Sequence, residues 1–299
     1  MTTNRSLPDS ASVAMLLLIV IIWAGSFIFI KLGLNEVPPI TLALVRFAVA
    51  FPVLAVASAI KKNKLRVAWR KHFWPFTVLA LTGVTLLYIF QFYALKFTTA
   101  AAGAIIINIT VIFIALLSAF FLHETLNKRK AFGVLLAFFG VLTVIFNESF
   151  GGFGLGSLEL LGGILMIVSA FFWAIYSILS KKILSVYSPL TINMVVFGLG
   201  TLYLVPFSLI ESPLEVLRHV SLIGWSSILY LAVLSSAVAY FLWSKVLTRI
   251  ETTKAGVFLY GIPVFTMILS YTFLGENISY VGIIGLILVI SGVYLTETG

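Results

Sequence analysis

Polar side chains inside long apolar stretches are the first residues of this sequence that could do chemistry. Asn108, Gln91 and Tyr88 stand in such stretches, and Tyr88 and Gln91 are one helical turn apart on one face. A polar group in lipid is costly unless it is paired or faces water, so all three are candidates to line a cavity and bind a substrate. A hydrogen bond between two helices explains Asn108 equally well.

Aromatic residues with a polar group are the second candidate set. Trp23 and Trp173 stand near the middle of apolar stretches, whereas tryptophan in membrane proteins normally collects at the two interfaces. An indole offers an N–H donor and a flat face to a ligand. Tyr176 follows Trp173 by one turn, and Tyr240 and Tyr260 stand in later apolar stretches, so we expect these five residues in the wall of the same cavity. The chain has 26 phenylalanines, however, and an aromatic residue taken singly is more often packing.

Few charged residues stand where they could act on a solute. Arg46 lies inside the second apolar stretch, where a structural role is favoured over attraction of an anionic group. Glu124 and Glu276 stand at the ends of stretches and are expected to stabilise loops, and Lys31 and Lys181 end their helices, where the helix dipole favours a cation. No Asp or Glu stands in the middle of a stretch, so proton exchange through a buried carboxylate is not expected. A neutral, aromatic cavity with cations nearby suits zwitterionic or weakly anionic solutes better than cationic drugs.

The sequence holds no pattern typical of an enzyme or of a metal site. It has no cysteine and three histidines, and His123-Glu124 lacks the second histidine of a metalloprotease helix. A nucleophile elbow, a phosphate-binding loop and a dinucleotide fingerprint are also missing. We therefore expect no enzymatic activity, no cofactor and no bound metal. The net charge of +9 does not indicate nucleic acid, because the cations stand in short connections between apolar stretches.

Ten membrane-spanning helices are expected to position these residues. Hydrophobic residues make up 61% of the 299 residues and charged ones 10%, against about a quarter charged in soluble domains. A helix needs about 20 mostly apolar residues to cross the bilayer. Stretches of that length predict spans over residues 12–34, 39–60, 72–94, 99–121, 129–147, 157–180, 188–210, 221–244, 254–274 and 278–296. The predicted fold class is an all-α integral membrane protein.

The positive residues between the spans set the expected orientation. The N-terminal tail and the connections after every second span hold fifteen Lys and Arg, and the opposite side holds three. Cytoplasmic loops carry such an excess. We therefore expect a multi-pass protein of the plasma (inner) membrane with both termini in the cytoplasm.

The two halves of the chain resemble each other. A shift of 150 residues matches Trp23 with Trp173 and Pro39 with Pro189. A shift of 152 residues matches four further pairs: Tyr88 and Tyr240, Glu124 and Glu276, Gly133 and Gly285, and Gly140 and Gly292. This predicts a five-helix repeat over residues 1–150 and a second over residues 151–299. Five is odd, so the second repeat is inverted in the membrane, an arrangement typical of carriers that work by alternating access. A duplication that merely built a larger bundle is the alternative.

The chain resembles the drug/metabolite transporter (DMT) superfamily, and in particular its ten-helix EamA-type exporters. The resemblance rests on the Trp-Ala pairs of spans one and six, Arg46 in span two, and the Leu-His-Glu (122–124) and Leu-Gly-Glu (274–276) endings of spans four and nine. It implies a central cavity lined by spans one, three, four, six, eight and nine, and export of amino acids, other metabolites or toxic compounds. It also implies a helix break at Gly261 and Pro263 in span nine, whereas the matching residues 109–111 of span four have neither glycine nor proline.

Together these patterns predict a secondary transporter that binds a small molecule within the lipid bilayer and exports amino acids or similar small metabolites. The alternatives are an exporter of toxic compounds or drugs, an importer or exchanger of the same solutes, and a receptor or scaffold without a path. A membrane-embedded enzyme would need clustered Asp, His or Lys near an interface, and the sequence has no such cluster. A channel is disfavoured because no ring of charges is visible. The sequence leaves the oligomeric state open.

Overall fold

The computed structural model describes residues 9–60, 67–122, 128–150, 158–250, 255–256, 258–277 and 279–298, and every regular element among them is helical. The helices of the first half are α1 (Ser10–Leu34), α2 (Pro39–Ile60), α3 (Trp69–Ala80), α4 (Leu86–Phe97), α5 (Ala100–Ile107), α6 (Thr110–Leu122) and α7 (Lys128–Phe150). Those of the second half are α8 (Leu158–Leu184), α9 (Pro189–Ser208), α10 (Pro213–Arg218), α11 (Leu222–Leu229), α12 (Ala239–Leu247), α13 (Gly261–Leu274) and α14 (Tyr280–Thr298).

Each of the ten predicted spans coincides with one apolar helix or with helices that follow one another. Six are long and apolar enough to cross a membrane: Ser10–Leu34, Pro39–Ile60, Arg70–Phe97, Leu158–Leu184, Pro189–Glu211 and Leu222–Leu247. Four shorter apolar helices occupy the other predicted spans: Ala100–Ile114, Ala131–Ile145, Gly261–Leu274 and Tyr280–Gly292. Large apolar side chains such as Leu17, Phe132 and Ile268 are exposed on the outside, as expected where lipid is the solvent. The class of all-helical membrane protein is confirmed.

Spans three and eight each contain a segment of wide π-helical turns. Leu81–Thr85 joins α3 to α4, and Tyr230–Val238 joins α11 to α12. A π-helical turn replaces the usual i to i−4 hydrogen bonds by longer ones, so the local register of side chains and carbonyl groups changes. Such segments are frequent at functional sites. The sequence carried no signal for them.

Spans four and nine are both broken near their middle. In span nine the turn lies at Leu259 and Tyr260, so Gly261 begins α13 and Pro263 lies in its first turn, where a missing N–H needs no replacement. Span four turns at Asn108 and Ile109, between α5 and α6, although residues 109–111 include no glycine or proline.

The side chain of Asn108 accounts for the break in span four. Its Nδ2 donates to the carbonyl of Ala104 at 2.7 Å, and its backbone N–H bonds to Ile105 instead, at 3.2 Å. An asparagine side chain that competes for the helical acceptor in this way ends a helix without glycine or proline. The two halves therefore carry a break at places that the predicted repeat makes equivalent, produced by different residues.

The spans of the two halves pack on one another in reciprocal pairs. Span one (α1) packs on spans eight and nine, and span six (α8) packs on spans three and four. Span two (α2) packs on spans seven and eight, and span seven (α9) packs on spans two and three. Spans five and ten (α7 and α14) pack on each other. Adding or subtracting five from each span number gives the same set of pairs.

Carboxylates tie the helices together on one face of the bundle. We call the face where α1 begins the terminal face and the opposite one the far face. At the far face, Glu276 accepts hydrogen bonds from the backbone N–H groups of Ala100 and Ala101, at 2.8 and 3.2 Å. Glu211 accepts from the backbone N–H of Thr41 at 2.7 Å. Because the first N–H groups of a helix lack partners within it, these carboxylates cap α5 and α2 from the other half of the chain.

The structure describes two of the other three charged residues predicted at helix ends. Lys31 donates to the carbonyls of Leu95 and Thr98 at 3.0 and 3.1 Å, so it stabilises the end of α4 rather than that of its own helix. Lys181 lies in the last turn of α8 and is exposed, as predicted. Glu124 lies outside the described residues.

Four glycines allow α7 and α14 to touch backbone to backbone. A Cβ atom added at Gly140 would lie 2.8 Å from the backbone nitrogen of Val289 and 2.9 Å from the carbonyl oxygen of Gly285. A Cβ atom at Gly292 would lie 2.6 Å from the carbonyl oxygen of Gly133. Small residues are the usual means of bringing two membrane helices this close. Gly140 and Gly292, and Gly133 and Gly285, are the pairs that the repeat predicts to be equivalent.

Replacing Gly140 with leucine is expected to destabilise the fold by about 1–3 kcal/mol, because the new side chain must displace the backbone of α14. The thermal unfolding midpoint of the detergent-purified protein measures this. Phe139→Leu is the matched control, since Phe139 is the neighbouring residue and faces outward with 59% of its surface exposed. Equal midpoints for the two variants would contradict the close contact.

Candidate functional site

A cavity of about 80 Å³ lies in the middle of the bundle. A water molecule needs roughly 10–15 Å³ on this scale, so the cavity has room for a small solute. Its lining comes from the six spans that the resemblance implies and also from span two, through Arg46. The lining residues are Trp23, Ser26, Phe27, Arg46, Leu87, Tyr88, Gln91, Ile107, Asn108, Thr110, Val111, Trp173, Ser235, Leu259 and Ile262.

Five of the eight predicted binding residues line this cavity: Trp23, Tyr88, Gln91, Asn108 and Trp173. The other three, Tyr176, Tyr240 and Tyr260, are buried behind the wall and are not part of the lining. They stand in the spans that were predicted, but their side chains point into the packing between helices. The predicted hinge residues Gly261 and Pro263 are also outside the lining, although the break beside them places Leu259 and Ile262 in it.

Arg46 is the residue that the sequence undervalued. Its side chain is 1% exposed, so the guanidinium is buried in the bundle. Nε donates to the Ser236 hydroxyl at 2.6 Å, and Nη2 donates to the hydroxyls of Ser235 and Tyr88 at 3.0 and 3.1 Å. The ring of Tyr88 lies 4.3 Å from the guanidinium carbon, as in a cation–π contact. The structural role expected for Arg46 is thus present, and the same residue also faces the cavity.

Two features of Arg46 fit a binding role. First, a guanidinium has five N–H donors, and the two on Nη1 bond to none of the residues that the structure describes. Second, the groups that hold it are neutral hydroxyls, and no carboxylate among the described residues forms an ion pair with it. A buried charge without a counter-ion is costly in lipid and marks a functional site by default. An anionic group of a solute would satisfy both the charge and the free donors.

Three further polar groups are available at the cavity wall. Gln91 is half-buried, and its side-chain amide makes no hydrogen bond within the described part of the chain. The indole N–H of Trp173 likewise has no acceptor among the described residues, whereas that of Trp23 donates to the carbonyl of Ser235 at 3.1 Å. Asn108 lines the cavity, and its Nδ2 donates to the carbonyl of Ala104 in the same span, so the hydrogen bond between two helices considered for it is not seen among the described residues.

The π-helical segments supply acceptors at equivalent places in the two halves. The carbonyl of Ser235 accepts from Trp23, and the carbonyl of Gly83 accepts from the Tyr240 hydroxyl at 3.1 Å. Residues 83 and 235 are 152 apart, the shift that also relates Tyr88 to Tyr240. The hydroxyls of Tyr88 and Tyr240 themselves meet at 2.8 Å. The two wide segments thus face each other across the middle of the bundle.

Five packed rings, which we call the aromatic cluster, close one side of the cavity. They belong to Trp23, Trp173, Tyr176, Tyr240 and Trp243, and neighbouring ring centroids lie 5.2–6.4 Å apart. Short connections make consecutive spans antiparallel, so the late positions of Tyr176 in α8 and Trp243 in α12 place the cluster toward the terminal face. Arg46 and Gln91 lie nearer the far-face ends of their spans. The cavity therefore lies on the far-face side of the cluster.

The chain matches one known protein family over most of its length. The model of the EamA-like transporter family matches residues 10–146 and again residues 160–298. The chain belongs to the EamA-like transporter family. It is 39% identical to an "Uncharacterized transporter" of Archaeoglobus fulgidus over 96% of this chain and 98% of that one. It is 30% identical to a "Probable amino-acid metabolite efflux pump" of Salmonella typhimurium, over 95% of this chain and 93% of that one.

The fold also has a counterpart among solved structures. A crystal structure of a protein 20% identical in sequence superposes with a TM-score of 0.66, over 96% of both chains. At that identity the likeness concerns the fold alone. The family match establishes a multi-pass membrane transporter.

Asn108→Ala and Gln91→Ala are expected to separate structure from binding. The first should lower the free energy of unfolding by about 1 kcal/mol, because it removes a buried hydrogen bond at the helix break. The second should change it by less than about 0.5 kcal/mol, since Gln91 makes no such bond. Both should lower solute flux. Thermal midpoints and flux in proteoliposomes measure the two effects, and a large loss of stability in Gln91→Ala would contradict its orientation toward the cavity.

Proposed function

We propose that this EamA-family protein is a secondary transporter of the plasma membrane, without enzymatic activity, that exports amino acids or similar small metabolites by alternating access. The solute binds in the cavity, with its carboxylate on Arg46. The observation that carries the proposal is the buried, positively charged guanidinium at a small central cavity, with two N–H donors that bond to none of the described residues.

The chemistry of Arg46 favours a carboxylate over other small groups. A guanidinium presents parallel N–H groups that match the two oxygens of a carboxylate, and hydrogen bonds between charged partners are roughly twice as strong as neutral ones. Gln91, Asn108 and Trp173 surround the remaining space with neutral polar groups and one flat ring. A cationic drug would be repelled by the same guanidinium, which weakens the alternative of a drug exporter. The name of the Salmonella typhimurium relative points to the same solute class.

Alternating access is supported by the pairing of the spans. The family model matches the chain twice, once on each side of residue 150, and the main packing pairs between the two halves are reciprocal when each span number is shifted by five. Two inverted five-helix repeats, over residues 1–150 and 151–299, account for both observations. Two equivalent packings of such repeats can open one site to either side of the membrane.

The aromatic cluster fits the role of a closed gate. The excess of Lys and Arg assigns the terminal face to the cytoplasm, so the cluster lies between the cavity and the cytoplasm. Trp243 Nε1 within the cluster and Asn193 Nδ2 beside Tyr176 are buried donors without an acceptor in the described part of the chain. An unpaired buried donor costs about 1–3 kcal/mol. A conformation that opens this side would expose both donors, so the closed gate stores part of the free energy needed to open it.

The test is flux into proteoliposomes of the purified protein, measured with a panel of labelled amino acids and the matching 2-oxo acids, with and without a proton gradient. We expect saturable flux of some members that does not depend on the gradient, because no acidic residue stands in the middle of a predicted span. Arg46→Gln should lower the initial rate about tenfold or more, since a charge-assisted hydrogen bond contributes about 1.5–3 kcal/mol and 1.4 kcal/mol is tenfold.

Arg249→Gln is the matched control for the loss of a positive charge. Arg249 lies at the surface, where it pairs with Asp9 at 3.4 Å and both side chains are largely exposed, so the control should transport at the rate of the unmodified protein. Gel filtration of each variant checks that it is folded. Full activity of folded Arg46→Gln would contradict the role of Arg46, and absence of flux for the whole panel would favour the receptor or scaffold alternative.

A further inference from the structure

The charge of the cavity wall restricts the class of solute more than the volume of the cavity does. Of the fifteen lining residues, Arg46 alone carries a full charge. The groups in contact with it are the hydroxyls of Ser235, Ser236 and Tyr88 and the face of the Tyr88 ring, all of which are neutral. The residues of the site therefore carry a net charge of about +1 in a region where charge is costly.

A carboxylate on Nη1 would bring the net charge of the site to zero. The ammonium group of a zwitterionic amino acid would restore the positive charge, and the wall offers it no carboxylate. Its partners would be only neutral oxygens, such as those of Ser26 and Asn108. Burying a charge without a counter-ion is unfavourable even when neutral groups hydrogen-bond to it. The site thus discriminates against the ammonium group.

We propose that the solute crosses the membrane as a monocarboxylate anion without an ammonium group, and that the membrane potential drives its export. This rests on the proposed function, because it takes the cavity as the transport site. The solute class is a small 2-oxo, 2-hydroxy or N-acylated acid rather than the free amino acid. Arg46 is the residue that determines this specificity.

The energy source follows from the charge of the solute. If Arg46 stays with its half of the protein during the cycle, each turn moves one negative charge in the direction of the solute. A membrane that is negative inside pushes an anion outward, and the free energy is proportional to the potential. Export then needs no proton site, in agreement with the lack of acidic residues in the middle of the predicted spans.

The experiment uses proteoliposomes in which a potassium gradient and valinomycin set the potential. The probes are alanine, pyruvate and alaninamide, which share a carbon skeleton and are a zwitterion, an anion and a cation. Leucine, 4-methyl-2-oxopentanoate and leucinamide form a larger set of the same charges. With potassium tenfold higher outside, the interior becomes positive, and the 2-oxo acid is expected to accumulate about tenfold inside. With the gradient reversed, preloaded 2-oxo acid should leave to the same extent.

The variants separate specificity from folding. Arg46→Lys keeps the charge but loses the planar fork of donors, so it should preserve the response to potential with weaker binding. Arg46→Gln should abolish accumulation of the 2-oxo acid, whereas Arg249→Gln should accumulate it like the unmodified protein. If Arg46→Gln fails to fold, Arg46→Lys and the unmodified protein still decide the question.

Three outcomes would overturn the inference. Flux of the amino acid at a rate equal to or above that of the 2-oxo acid, with no accumulation under potential, would leave the proposed function standing and show that the ammonium group is accepted. Flux of the 2-oxo acid that ignores the potential would show electroneutral transport with a proton. No flux of either set would remove the proposed function together with the inference.

Discussion

The buried charge of Arg46 is the constraint on which the middle of the bundle depends. A guanidinium in this position must be given hydrogen-bond acceptors by its neighbours, because lipid offers none. Two of them come from the adjacent residues Ser235 and Ser236. Adjacent side chains point in widely different directions on an α-helix. The wide turns of Tyr230–Val238 reduce the angle between Ser235 and Ser236, so both can reach Arg46. The local helix geometry of span eight and the placement of one charge on span two are therefore parts of the same solution.

The same wide turns solve a second problem. Where a helix widens, its carbonyl groups no longer follow the regular ladder, and a carbonyl without a partner is as costly in lipid as an unpaired side chain. Here Trp23 and Tyr240 donate to the carbonyls of Ser235 and Gly83, which are in equivalent positions of the two wide segments. Backbone irregularity is tolerated in a membrane protein where it borders a cavity, and the broken spans four and nine follow the same rule.

The positions of the spans could be predicted well from the sequence. The directions in which their side chains point could not. Hydropathy and length locate a span because the bilayer has a fixed thickness, and all ten predicted spans coincide with apolar helices. The direction in which a side chain points is harder to predict, because a helix that is apolar on all sides has little hydrophobic periodicity. Tyr176 and Tyr240 therefore looked equivalent to Trp23 and Trp173, but they face the packing between helices. Arg46 was visible as an intramembrane cation, yet only the structure shows that its Nε and Nη2 bind three hydroxyls while Nη1 has no partner among the described residues. The wide segments depend on hydrogen-bond donors from other spans, so no local sequence pattern predicts them.

The glycine crossing between α7 and α14 has a consequence for the history of the chain. Each helix brings two glycines to the crossing, and the four positions form two equivalent pairs, so the contact is nearly the same seen from either helix. A surface of that kind is complementary to itself. A single five-helix chain that inserted into the membrane in both orientations could make the crossing with a second copy, without any covalent connection. Fusion of two such copies would then fix one antiparallel pair for good and free each half to acquire its own chemistry. The arginine of span two, for which the matching position in span seven is Val196, is an example of such divergence.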